Sequence, residues 1–392
     1  MFMEKTRLFA EVGYASLIKK GEELCGDKVN IVPCEDSTIV ILADGLGSGV
    51  KANILATLTS KIAGEMLKNG ALIEEVVQTV AETLPVCKVR GLAYSTFTIL
   101  QAYHDGTVYL VEYDNPPTFH FKNGKLVPIE HSERMINGRL IKESRFLVDR
   151  QDAFLFVSDG VIHAGVGGIL NLGWQWDNVA EAMERFMRRD PSAEAASRYL
   201  TETCEHLYCM EPGDDTTAVC VKFRYPSPVS LLIGPPEDSA RDEQVVRLWH
   251  EAPGKKIICG GTSANIVSRI LGRPLRVELP THLDAEIPPI AQMEGIDLVT
   301  EGVLTLRKAL FQLKEYAEQG GIPREIAGSD GVSRLLRILK DATEIHFHVG
   351  TAINPAHQNP HFPADLNIKL RIIDEIVEAL RKLGYPTDRT LY

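Results

Sequence analysis

Hydrophobic positions along the first half of the chain recur in two rhythms. In "VNIVPCEDSTIVILAD" two apolar runs flank a polar turn at "CEDS", which predicts a pair of strands. Val50, Ile54, Leu55, Leu58, Ile62 and Leu67 then fall at helical spacing, predicting an amphipathic helix that ends near Gly70. "ALIEEVVQTVAETL" predicts a second helix. From Ala93 to Glu130 the pattern returns to strands: "AYSTFTILQAY", "GTVYLVEYD" and "PTFHFKNGKLVPIE", separated by the hairpin signals Asp105-Gly106 and Asn123-Gly124. "AFLFVSDG" predicts another strand, "NVAEAMERFMRR" and "SAEAASRYLTETCEHLY" two more helices, and "TTAVCVKFR" a closing strand. Helices grouped apart from hairpin-linked strands predict an α+β fold with antiparallel sheet, not a βαβ alternation.

The rhythm changes after "RYPSPVS" (224–230), whose two prolines mark the expected boundary. Beyond it strands and helices alternate: "VSLLIG", "DEQVVRLWHEA", "KKIICGG", "SANIVSRIL", and later "IDLVTEG", "TLRKALFQLKEYAEQ" and "ATEIHFHVG". This predicts a smaller α/β domain with a parallel or mixed sheet. The expected domains are residues 1–225 and 229–392, and 392 residues is long for a single core.

Composition narrows the function classes. With 44% hydrophobic and 24% charged residues the chain is ordinary for a globular protein. No apolar run approaches the ~20 residues that span a bilayer, and the first residues lack an apolar signal core. A cytoplasmic protein with no membrane partner is expected. The seven cysteines are odd in number and form no CxxC pair, which fits reduced thiols. A net charge of −11 and the lack of a basic run argue against nucleic acid as a partner.

The chemistry concentrates in aspartates. Asp-Gly occurs at 44, 105, 159 and 330, and by itself signals a turn. Asp105 sits in a hairpin, and Ser329-Asp330-Gly331 reads as a helix N-cap. Ser158-Asp159-Gly160 repeats that tripeptide in another context: "TIVILAD" and "AFLFVSD" each run a core strand straight into the carboxylate, which is unfavourable unless compensated. Asp214 and Asp215 in "GDDTT" and Asp27 in "CGDKVNIV" stand at further strand ends. Carboxylates without a His/Cys cluster suit hard cations such as Mg²⁺ or Mn²⁺ better than zinc.

The ordered set "GD … ADGLGSG … SDG … GDDTT" resembles the metal-dependent Ser/Thr protein phosphatases (PPM, or protein phosphatase 2C-type), in their bacterial SpoIIE-like and RsbX-like branch. The resemblance covers roughly residues 5 to 224. It implies an α-β-β-α sandwich of two antiparallel sheets and a centre of two Mn²⁺ or Mg²⁺ ions. It further implies that Asp44 bridges both metals, the Gly45 carbonyl binds one, Asp159 and Asp214 complete a shell, and Asp27 holds the second metal. The implied activity is hydrolysis of phosphoserine or phosphothreonine on a phosphorylated protein substrate in bacterial signalling, with Asp44, Asp159 and Asp214 as the catalytic set. Two features depart from animal-type members: Leu46 stands where they carry histidine, and the arginine that grips phosphate has no match. Lys19 and Lys20 read as a solvated pair. Two rival readings stay open, a phosphatase-like scaffold without turnover and a ligand-binding enzyme centred on the second domain; a homodimer stays open too.

In the second domain Gly260-Gly261-Thr262-Ser263 lies between a strand and a helix, where a structural turn and an anion or nucleotide loop compete. The loop lacks GxGxxG spacing and a Walker lysine. A small ligand there would meet the strand ends near Gly261, Glu301-Gly302 and Gly350-Thr351. Cys259 beside the loop reads as a buried thiol. His346, His348, His357 and His361 form a histidine-rich stretch, read as core or surface residues ahead of metal ligands.

Overall fold

The computed structural model describes residues 7–83, 95–277, 290–318, 322–323, 325–352 and 368–392. The chain divides into two compact units, Met1–Tyr225 and Pro226–Tyr392. Among the described residues no helix is long and apolar enough to cross a membrane.

In the first unit the elements run β1 (Phe9–Leu17), β2 (Asp27–Pro33), β3 (Ser37–Gly45), α1 (Gly49–Lys68), α2 (Ile73–Thr83), β4 (Ser95–Tyr103), β5 (Thr107–Tyr113), β6 (Phe119–Lys122), β7 (Lys125–Val127), β8 (Ser132–Ile136), β9 (Arg139–Leu147), β10 (Asp152–Val157), α3 (Asp159–Ile162), α4 (Trp176–Met187), α5 (Ala193–Leu207) and β11 (Thr216–Arg224). They build a six-stranded sheet of order β2-β3-β4-β5-β9-β8 and a five-stranded sheet of order β1-β11-β10-β6-β7. Every pairing in both sheets is antiparallel. Strand β1 and the β8–β9 hairpin carry weak alternation and are additions to the sequence-based expectation. The hairpin turn at Asn137-Gly138 has positive φ at both residues (49° and 75°), as does Asn123-Gly124 (49° and 73°). That is the turn whose twist matches the flanking strands.

Alternation along the strands sets the layers. Val40 and Leu42 of β3 and Leu100 of β4 point between the sheets, where they meet Phe154, Phe156, Val219, Val221 and Phe223. Ile39, Ile41 and Ala43 point the other way, onto Leu55, Ala56 and Ala63 of α1 and Val76 and Val77 of α2. On the far side, Leu155, Val157, Ala218 and Cys220 meet α4 and α5 through Val179, Met183, Ala196 and Leu200. The unit is therefore a four-layer α-β-β-α sandwich. Because β3 is dry on both faces it reads as a continuous apolar run instead of an alternating one.

The second unit comprises β12 (Pro228–Ile233), a short 3-10 turn, α6 (Asp242–Glu251), β13 (Lys255–Cys259), α7 (Gly261–Leu271), β14 (Arg276–Val277), β15 (Ala291–Met293), β16 (Ile296–Thr300), α8 (Val303–Glu318), α9 (Gly331–Lys340), β17 (Glu344–Val349), α10 (Ile368–Lys382) and β18 (Thr387–Leu391). Its sheet has the order β14-β15-β16-β13-β12-β17-β18. The five strands from β16 to β18 are parallel and the other two antiparallel. Helices α6 and α7 cover one face through Val245, Val246, Trp249, Ala264 and Val267. Helices α8, α9 and α10 cover the other.

Close helix–sheet approach in the first unit depends on glycine at β1. A Cβ on Gly13 would fall 2.1 Å from the backbone nitrogen of Glu194 at the start of α5, and the Gly13 carbonyl accepts from Ser197 Oγ at 2.8 Å. Gly13→Ala is expected to destabilise the first unit by about 1–3 kcal/mol. Gly168→Ala, whose Cβ would meet nothing nearer than 3.5 Å, is expected to stay within about 0.5 kcal/mol of wild type. Urea unfolding followed by circular dichroism compares the two; equal midpoints would refute the steric account.

Candidate metal centre

Antiparallel pairing of β2 with β3 puts Asp27, the first residue of one strand, directly opposite Asp44 near the end of the other. From the second sheet, β10 ends into Ser158 and α3, whose first residue is Asp159, and Asp214-Asp215 lead into the neighbouring strand β11. One hydroxyl ties the sheets together: Ser158 Oγ donates to Asp27 Oδ2 at 2.7 Å and accepts from the Thr217 backbone N–H at 2.9 Å. The Lys19 backbone N–H donates to Asp215 Oδ1 at 3.1 Å, and Lys19 Nζ lies 3.5 Å from Asp214 Oδ1.

The carboxylates act on one another. Burial first, and then the charges of Asp27, Asp159, Asp214 and Asp215, push Asp44 up to about 9. Burial pushes Asp27 up to about 7 against its bonds to Ser158 and Thr217, with Asp215 and Asp159 adding to the rise. Asp159 stands at the open rim and is raised by partial desolvation and by Asp214, with His163 and Lys19 opposing. Asp27 is 5% exposed and Asp215 4% exposed. Asp27 Oδ1 and Asp215 Oδ2 are buried without a hydrogen-bond partner among the described residues.

Those two orphaned oxygens are what a hard cation's site needs, since desolvated carboxylate oxygens persist only with a compensating charge or donor. The site is gathered but not closed. Among the described residues no three His, Cys, Asp or Glu side chains are drawn in tightly enough to hold an ion as they stand.

The Asp-Gly pairs separate by backbone geometry. Gly106 has φ of +87°, and Asp105 Oδ1 accepts from the Thr107 N–H at 2.8 Å, ordinary turn chemistry. Asp330 caps α9, accepting from the Val332 and Ser333 N–H groups at 2.9 and 3.1 Å. In 158–160 the N-cap is Ser158, and no side chain caps the helix. At Gly45 a Cβ would fall 2.1 Å from the Ala52 carbonyl oxygen, and at Gly160 2.1 Å from that of Asp215. These two glycines let α1 and α3 pass close enough to hold the preceding aspartates in one cleft. Gly47 and Gly49, with φ of +103° and +68°, turn the chain into α1. A phosphate cradle at that helix start is opposed by Glu22, whose Oε1 accepts from Ser48 Oγ at 2.9 Å.

The structure thus brings together Asp27, Asp44, Gly45, Asp159 and Asp214. Sequence reasoning underrated Asp215 and missed Ser158 and His163, and it read Lys19 as solvated where it in fact meets both aspartates of "GDDTT". Gly260, Gly261, Thr262 and Ser263 belong to the other unit. There His346 and His348 share one face of β17 with ring centroids 4.3 Å apart. His346 pairs with Asp388 and with Thr390 Oγ1, and His348 with the Tyr392 hydroxyl; His357 and His361 lie outside the described residues. Burial pushes the Cys259 thiol up to about 12, leaving it unreactive.

Residues 35–224 match the family model of stage II sporulation protein E (SpoIIE). A comparison with curated proteins returned no match. Among solved structures, the PP2C phosphatase domain of SpoIIE from Bacillus subtilis, with a fragment of its regulatory domain, is 17% identical with a TM-score of 0.47. That likeness covers 57% of this chain and 66%, just under two thirds, of the other. The RsbU and RsbW domains of Rv1364c from Mycobacterium tuberculosis are 17% identical over 64% of this chain and 72% of that one, with a TM-score of 0.47. RsbX in complex with magnesium is 16% identical over 55% and 96%, with a TM-score of 0.41. These structural likenesses are distant, and the assignment rests on the matched family model: residues 35–224 are a SpoIIE-family domain.

Proposed function

We propose that the first unit hydrolyses phosphoserine or phosphothreonine on a partner protein, with the clustered aspartates holding two Mn²⁺ or Mg²⁺ ions. One observation carries the reading: separate strand ends deliver Asp27, Asp44, Asp159, Asp214 and Asp215 to one cleft in which two buried carboxylate oxygens lack partners. An oxygen-only donor set of this kind suits a hard divalent cation. The family match supports it, since SpoIIE itself carries a PP2C phosphatase domain.

Asp44, the Gly45 carbonyl, Asp159 and Asp214 would hold the ions, with Asp27 assisting at the second. When bound, such a pair supplies a water that ionises near neutral pH and offsets the phosphoryl charge. The chain's own residues do the rest. Ser158 occupies Asp27 Oδ2 and so fixes which oxygen faces the cleft. Lys19, held by Asp214 at the rim and about one third exposed at 36%, offers a positive charge to phosphoryl oxygens. Hydrolysis forms a P–O bond to water and breaks the P–O bond to the seryl or threonyl oxygen, which takes up one proton. With Leu46 following Asp44-Gly45, no side chain at that position can donate it.

With Mn²⁺ the purified protein is expected to hydrolyse p-nitrophenyl phosphate and a phosphoserine peptide, and Asp44→Asn or Asp159→Asn to lower kcat by at least about a hundredfold. Lys19→Ala is expected to raise KM for the peptide more than it lowers kcat. Undiminished turnover in either aspartate variant, or in excess chelator, would sink the mechanism, and absence of turnover by the wild type with metal would favour the scaffold reading.

The acidic cleft also sets a stability test. With Asp44 raised to about 9, the folded metal-free state keeps a proton that the unfolded chain has already released. The stability of chelator-treated protein is therefore expected to fall as pH rises from about 4 toward 9, by up to about 1.4 kcal/mol per pH unit from this group. Asp44→Asn removes that contribution. In EDTA at pH 8 it should unfold at a higher temperature than wild type and show a shallower pH slope, whereas Mn²⁺ should stabilise only the wild type. Identical slopes for the two proteins would show that Asp44 is not held under this strain.

A further inference from the structure

In chain order the parallel strands of the second unit lie 3-2-1-4-5, with the order reversing beside β12. Open α/β sheets bind ligands outside the carboxyl ends of their strands near such a reversal. Here four adjacent strands, β16, β13, β12 and β17, give way to glycine just past their ends: Gly302, Gly260, Gly234 and Gly350. Fold position and small residues describe a place where a ligand fits, and the side chains around α7 say what it is.

Helix α7 begins at this edge with no side-chain cap and no acidic residue in its first turn. Its neighbours are already satisfied: Glu301 Oε2 accepts from the Leu304 N–H of α8 at 3.1 Å, and Asp330 caps α9. Gly260, at φ 121° and ψ 134°, holds a conformation only glycine adopts readily. The backbone there turns so that the N–H groups of Gly261, Thr262 and Ser263 leave the helix end without intrahelical acceptors. A Cβ on Gly261 would meet no described residue within 4 Å, so packing among the described residues does not require glycine there. Ser263 is the independent observation. It is 2% exposed, its hydroxyl has no hydrogen-bond partner among the described residues, and that oxygen lies 3.9 Å from where a Cβ on Gly260 would stand. A buried hydroxyl at an uncapped helix start is a donor for which the described residues supply no acceptor.

A positive charge stands at the same edge. Lys369 Nζ donates to the Gly350 carbonyl at 2.5 Å and to that of Ala352 at 3.2 Å, and lies 2.7 Å from the position of a Cβ on Gly234. Among the described residues no carboxylate pairs with it. Several outward N–H groups, a buried hydroxyl and an ammonium at the same sheet edge match an acceptor-rich dianion better than a single carboxylate.

We propose that the carboxyl edge of this sheet binds a small molecule through its phosphoryl group, seated on Gly261, Thr262 and Ser263 at the start of α7, with Lys369 at the same edge. The proposal is independent of the phosphatase reading, because the site lies wholly within the second unit.

Isothermal titration calorimetry on the full chain tests it, with inorganic phosphate, ribose 5-phosphate and ATP as separate probes. EDTA is kept in the buffer so that no metal in the first unit can hold phosphate. At least one probe is expected to bind with Kd below about 1 mM. Binding of phosphate alone, of the sugar phosphate, or of ATP alone each supports the site and says what its phosphoryl group is attached to. Gly261→Asp, which places a carboxylate over the N–H groups in free space, is expected to weaken binding at least about tenfold, and Ser263→Ala severalfold. Circular dichroism checks that both variants are folded, and the small Ser263→Ala change serves if the aspartate variant is not. Absence of heat with all three probes, or undiminished affinity in folded Gly261→Asp or Ser263→Ala, overturns the proposal.

Discussion

A carboxylate at the end of a strand that is dry on both faces is poorly solvated wherever it points, and β3 ends in one. Val40 and Leu42 face the opposing sheet while Ile39, Ile41 and Ala43 face α1 and α2, so the strand has no wet side to which Asp44 could turn. The same holds for β10, which is buried along its whole length before it reaches Ser158 and Asp159. Two antiparallel sheets stacked face to face bring these ends to one rim of the sandwich, and in-register pairing adds Asp27 opposite Asp44. The core packing and the acidic cleft are therefore one arrangement: the sheets that exclude water also concentrate the charge.

Glycine makes that concentration sterically feasible. Gly45 and Gly160 each follow an aspartate of the cleft, and each lets a helix backbone approach to where a Cβ would clash. Ser158 adds a restraint by donating to Asp27 and accepting from Thr217, which joins the carboxylate of one sheet to the backbone of the other. What these devices leave uncompensated is small and local, chiefly Asp27 Oδ1 and Asp215 Oδ2.

Much of this was legible in the sequence, for identifiable reasons. Continuous apolar runs ending in aspartate announced β3 and β10, and the Asn-Gly turn at 123–124 announced its hairpin. The convergence of Asp27, Asp44, Asp159 and Asp214 was legible only as an ordered set, since any one Asp-Gly has a turn as its ordinary explanation. What could not be read was contact across the sandwich. The role of Ser158 depends on a strand 131 residues away, and Lys19 meets Asp214 across 195 residues; no local spacing encodes either. Strand β1 was missed because its pattern is half-buried along most of its length. Asn137-Gly138 did carry a hairpin signal, but the flanking β8 is almost wholly exposed and lacks apolar alternation.

The starts of the helices connect the two units as a matter of chemistry. An uncapped helix start carries partial positive charge and N–H groups in search of acceptors; at some starts this chain supplies the acceptor itself, Ser192 for α5, Glu301 for α8 and Asp330 for α9. At α1 the nearby carboxylate of Glu22 occupies the space that a phosphate would need, so the glycines of "ADGLGSG" act as hinges and spacers, not as a phosphate loop. At α7 the same ingredients, glycines between a core strand and a helix, come without an acid in the helix's first turn, with a buried hydroxyl unpaired among the described residues and with an ammonium close to the next strand end. The two loops look alike as sequence and differ in what surrounds them. Surroundings, more than glycine content, decide whether a strand-to-helix turn serves the fold or a ligand.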